Sequence, residues 1–253
     1  MASGVIDRLD RFRIGRVFND SFAVIGRNPL LCLGLGAAFY ALPRFGALFW
    51  YAKSGAGRQS FQAFAVQHPF LVVLAVPLYL LVTAVLQTSL IRAAIVDLRG
   101  DKPTFADCFG MALVLLFPIL GVSLLVTIGI MIGLVLLIVP GILLMLRWAV
   151  AMPVLVQERR GVLDSMARSR DLTKGSRWAL LGLWLILIVA GVLAGLVIDR
   201  VAIPLNVTFA LLADATVRAA VLVFSSVSVA VTYVELRRIK EGTGVDELAE
   251  IFS

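Results

Sequence analysis

Apolar residues run through this chain in blocks of about twenty, separated by short polar and charged stretches. Blocks of that length predict helices that cross a membrane, since a strand would show alternation of period two. Six blocks are readable, at about 29–51, 69–91, 110–138, 140–157, 178–198 and 215–234. The fold class expected is therefore all-α: a single membrane domain of six transmembrane helices with short interfacial helices. Pro43 and Pro77 should kink the first two spans, and Pro118 and Pro153 should bend the third and fourth. The second helix can continue to Leu98. Pro204 interrupts the apolar stretch before the sixth.

From Cys108 to Leu146 there is no charged residue, a run of 39. As one helix it would extend about 58 Å, about twice the hydrocarbon thickness. It must fold back, and Pro140-Gly141 is the expected reversal, since proline removes a donor and glycine permits a tight turn. Gly34 and Gly36, the GxxxG pair Gly129/Gly133, and the pair Gly191/Gly195 would let helices approach closely.

Polar, amphipathic stretches precede alternate spans. In 12–28, Ile14, Phe18, Phe22 and Ile25 share one helical face, which suits an interfacial helix or one packed on the protein itself. Residues 104–109 precede the third span. Val162–Lys174 should form a short helix stopped by Gly175 at the position after its cap, ahead of Trp178 as an interface anchor. This suggests three units of short helix plus hairpin, between a tail at 1–11 and one at 235–253.

Composition agrees: 60% of the 253 residues are hydrophobic and 15% charged, far from a soluble domain. The net charge of +7 reads as topology rather than nucleic-acid binding. Seventeen of the 23 Lys and Arg fall on the side of the termini, five on the other, and Arg147 within a span. That bias predicts cytoplasmic N- and C-termini. Cys32 and Cys108 predict no disulfide, and His68 reads as a loop residue rather than a ligand.

Candidate chemistry is sparse. Arg147 lies seven residues past Pro140, about 10 Å into its span. At such depth a guanidinium costs at least a few kcal/mol unless paired or hydrated. It either binds a lipid phosphate or lines a polar cavity, or it is structural, paired with Asp199 or Asp214 or snorkelling outward. Asp214 and Arg218 are spaced to pair on one helix face. Arg159, Arg160, Arg168, Arg170, Lys174 and Arg177 form a basic segment that could grip anionic headgroups or a partner, or simply set topology. Glu158 is placed to pair with a neighbouring arginine. Phosphate loops, nucleophile elbows and His-containing motifs are all missing, so no catalytic residue, metal or cofactor is expected.

The stretch PGILLMLRWAVAMPVLVQE, followed by DSMARSRDLTKGSRW, resembles bacterial inner-membrane proteins related to the membrane domain of glycerophosphoryl diester phosphodiesterases. The positions that carry the likeness are Pro140, Gly141, Arg147, Pro153, Glu158, Ser169, Leu172, Thr173, Gly175 and Trp178. The opening IGRVFNDSFAVIGRNP and the closing YVELRRIKEG are similar too. The resemblance implies a six-span bacterial inner-membrane domain without the catalytic barrel, which uses histidines and carboxylates around a metal. The function expected is a non-enzymatic membrane protein that binds or handles lipids. The alternatives are a scaffold or partner subunit of an envelope complex, and a small-solute transporter or channel.

Overall fold

The computed structural model describes residues 12–53, 63, 66–201 and 206–241. The expected tail at 1–11, residues 242–253 of the tail expected over 235–253, the loop residue Arg58, Pro204 and the side chain of Asp199 lie outside the described residues. All regular structure among the described residues is helical. Helix α1 is Ile14–Arg27. Span 1 comprises α2 (Pro29–Gly36), a π-helical segment (Ala37–Ala41) and α3 (Leu42–Lys53). Helix α4 (Pro69–Leu98) is span 2. Then come α5 (Phe105–Val114), α6 (Leu116–Leu136) as span 3, and α7 (Ile138–Arg147) with α8 (Ala151–Glu158) as span 4. Helix α9 (Val162–Thr173) leads to α10 (Arg177–Val201) and α11 (Val207–Glu241), spans 5 and 6. Six helical segments are long and apolar enough to cross a membrane. Each of α1, α5 and α9 precedes a two-span hairpin.

Prolines set the breaks, one turn ahead of themselves. A proline has no N–H for the carbonyl four residues earlier, and its ring crowds that carbonyl. Pro118 faces back to Val114, where α5 ends, and Pro140 faces back to Leu136, where α6 ends. Pro153 faces back to Ala149, inside the gap between α7 and α8. Pro43 faces back to Phe39 in the π-helical segment. The prolines at 118, 140 and 153 each become the third residue of the next helix, where the missing donor has no intrahelical partner to lose.

Three expected boundaries therefore need correction. The reversal between spans 3 and 4 is at Leu137 (φ −163°, ψ 145°), not at Pro140-Gly141. Span 3 is not one helix from 110 but α5 and α6, divided at Leu115. Pro153 does not bend span 4 but breaks it. Gly141 serves packing rather than turning: a Cβ on it would sit 2.7 Å from Leu134 N, and one on Gly133 2.8 Å from Gly141 Cα. A Cβ on Gly129 would strike the Trp148 ring at 2.4 Å, so the first GxxxG pair seats span 4. Span 6 is also longer than 215–234, beginning at Val207 and running to Glu241.

Helix α11 is the centre of the bundle, touching spans 1, 2, 4 and 5 as well as α1 and α9. Its inner positions are small or β-branched, among them Ala219, Val223, Val227, Ala230 and Val231. Gly36 lets span 1 cross closely, since a Cβ there would lie 2.6 Å from Val223 Cγ2. Helix α1 packs on this core. It buries Val17, Ser21 and Val24, with Ser21 Oγ 3.1 Å from Ser228 Oγ, Phe18 stacked on Phe224 and Phe22 tilted against the same ring. The apolar stripe noted in the sequence flanks this buried line.

Ion pairs gather the ends of spans on the side of the chain termini. Arg16 meets Glu235 at 2.7 Å, and Arg27 and Asn28 hold Asp97. Within the spans, Asp214 takes both Arg44 (2.8 Å) and its helix neighbour Arg218 (2.5 Å), the second being the spacing expected.

Candidate functional site: the break in span 4

Because Pro153 opens the helix at Trp148–Val150, backbone groups there need other partners inside a bilayer. Helix α9 supplies them. Ser169 Oγ donates to Arg147 O at 2.9 Å and accepts from Val150 N–H at 3.3 Å. Thr173 Oγ1, one turn on, lies 3.5 Å from the same carbonyl. Both residues and Leu172 between them are buried. Gly175 follows with φ +96°, the left-handed conformation that ends α9 and points the chain into span 5. The motif from Ser169 to Gly175 thus bridges α9 to the broken helix. Trp178 is 85% exposed at the start of span 5.

Arg147 is the tenth residue of the 21 in span 4. Its Nε is buried and has no hydrogen-bond partner among the described residues. The expected structural partner Asp214 is occupied by Arg44 and Arg218, so that pairing is corrected. Arg177 Nε is also buried and unpartnered among the described residues. Thr173 connects the two positions: its hydroxyl is at Arg147 O, and its carbonyl accepts from Ser176 N–H, next to Arg177.

The rest of the basic segment divides. Arg160 and Arg168 both pair with Glu158, at 2.7 and 3.3 Å, and Tyr233 OH donates to the same carboxylate. Arg168 also bridges to Glu241. Burial disfavours its charge, but Glu158 and Glu241 outweigh this and raise its pKa. Arg170 meets Asp171 at 3.5 Å in an exposed pair of little energetic weight. Arg147, Arg159, Lys174 and Arg177 have no ion pair among the described residues.

Two clefts open between the spans, and the second reaches the break. One, of about 540 Å³, lies between spans 5 and 6, reaches Tyr40 and Arg218, and has Gly191 and Gly195 in its lining. The other, of about 580 Å³, lies between spans 2, 3 and 4. It is lined by Thr83, Gln87, Ser123, Thr127 and Trp148 among apolar side chains, and sequence reading missed it. The signal was there: Thr83/Gln87 and Ser123/Thr127 are polar pairs spaced by one helical turn within apolar blocks. No group of three or more His, Cys, Asp or Glu side chains that could hold a metal ion comes together among the described residues.

Residues 117–236 match the family model for the membrane domain of glycerophosphoryl diester phosphodiesterase. The match runs from the first turn of span 3 almost to the end of span 6 and includes every motif position from Pro140 to Trp178. The opening segment IGRVFNDSFAVIGRNP lies outside it. No curated protein and no solved structure matches the chain. The chain is thus a multi-pass membrane protein whose residues 117–236 are similar to that membrane domain.

Proposed function

We propose that this protein is a non-enzymatic inner-membrane protein of bacteria that binds and handles anionic membrane lipids. The observation that carries the reading is the guanidinium of Arg147, in the middle of a span by sequence, with its Nε buried and without a hydrogen-bond partner among the described residues. A guanidinium within a span costs at least a few kcal/mol unless it is paired or hydrated, and an anionic headgroup drawn to it would recover that cost. Arg177, Lys174 and Arg159 extend the same basic character toward the side of the termini. We place that side in the cytoplasm, because 17 of the 23 Lys and Arg collect there.

Native mass spectrometry of protein gently extracted from its own membrane tests the reading. The expected result is one class of anionic lipid retained by the wild type and lost from folded Arg147→Ala. A bare wild type, or the same mixed lipids on both, would overturn it and leave Arg147 with a structural role. Reporter fusions at both ends test the orientation, with cytoplasmic signals expected from each.

A further inference from the structure

The cleft between spans 2, 3 and 4 holds hydrogen-bonding groups that the protein does not use. Thr83 Oγ1 is satisfied by its own helix, at Tyr79 O and Leu80 O. Gln87, Ser123 and Thr127 have no side-chain hydrogen-bond partner among the described residues. All three line the same space as Thr83 and the Trp148 ring. Ser123 is seven residues into α6 and Gln87 eleven residues before the end of α4. At 1.5 Å per residue this puts them roughly 10 and 16 Å from those helix ends, within the hydrocarbon. A carboxamide and two hydroxyls left unmatched at such depth are costly, so the cleft is built for an occupant with polar atoms of its own.

Its charge and size narrow the occupant. None of the lining residues is charged, and the volume of about 580 Å³ falls in the range of small-molecule pockets. The mouth is apolar, with Leu80 and Leu124 more than half exposed beside it. A phosphate on the glycerol would be dragged below the helix ends with no cation in the lining to meet it. We propose that this cleft binds a neutral glycerolipid, a diacylglycerol. Its ester carbonyls accept from Gln87 Nε2 and the Ser123 and Thr127 hydroxyls, its free hydroxyl donates to the Gln87 carbonyl, and its chains leave through the apolar mouth. This site is separate from the anionic-lipid reading at Arg147 and stands without it.

The test is photolabelling in phosphatidylcholine vesicles with a diacylglycerol carrying a diazirine in one chain. Label is expected on peptides covering 80–87 and 123–127, displaced by unlabelled diacylglycerol and not by unlabelled phosphatidylglycerol. Gln87→Leu/Thr127→Val should cut it about tenfold, the loss of roughly two modest hydrogen bonds. Arg147→Ala is read only in the anionic-lipid assay, so the two proposals fail independently. Equal labelling of wild type and the double variant, displacement by phosphatidylglycerol, or no label in the cleft would each overturn the proposal. The displacement experiment uses wild-type protein alone and decides the matter even if the variant misfolds.

Discussion

Arg44 and Arg147 each lie nine residues from the same-side end of their spans, about 14 Å in. Arg44 has Asp214 at 2.8 Å, and that carboxylate also holds Arg218. Arg147 has no carboxylate partner among the described residues; the hydroxyls beside it serve its carbonyl, not its guanidinium. At the same count from a span end, then, one arginine is tied into the bundle and the other has no ion pair among the described residues. Position within a span marks neither as functional; the partner does.

The strongest way to break this contrast is to remove Asp214. Asp214→Ala leaves two arginines without their carboxylate, and thermal unfolding in detergent should show a loss of about 3 kcal/mol or more. Replacing the set with apolar residues, Arg44→Met/Asp214→Leu/Arg218→Leu, should recover most of it. Next in size is the hairpin that positions Arg147. Gly141→Leu drives a side chain into the Leu134 backbone and should cost roughly 1–3 kcal/mol, with altered lipid retention because span 4 shifts. Ser169→Ala/Thr173→Val leaves the Arg147 carbonyl without a donor and should cost about 1–3 kcal/mol in the same assay. Smallest is Arg147→Met, which should leave stability unchanged or raise it. A loss there as large as that of Asp214→Ala would mean the two arginines do the same work and would end the comparison.

How legible each half was follows from chain separation. The Asp214–Arg218 pair was readable because one turn separates the residues, whereas Arg44 is 170 positions from Asp214 and no local pattern joins them. Six apolar blocks with a charge-free run of 39 residues defined the bundle and forced a hairpin. Its corner lies at Leu137 rather than at Pro140 because proline disturbs the carbonyl one turn earlier. The same rule locates the break at Trp148–Val150. Arg147 stood out by charge alone. Ser169 and Thr173 were visible only as motif letters, since a hydroxyl that serves another helix's backbone has no signature in its own segment. The neutral cleft went unread because its polar residues are dispersed over two spans.

The turn at Leu137 bears on how the chain is threaded into its bilayer. Leu136, Leu137, Ile138 and Val139 are all about two-thirds exposed or more, and no polar side chain accompanies them. A corner of that kind gains nothing by emerging into water, so spans 3 and 4, each 21 residues long, should enter together with their tip at the far edge of the hydrocarbon. A cysteine placed at Leu137 would then stay unmodified by a membrane-impermeant maleimide, while a permeant one reaches it. The second hairpin is in this sense inserted rather than threaded, and its orientation is dictated wholly by the charged segments at its open end.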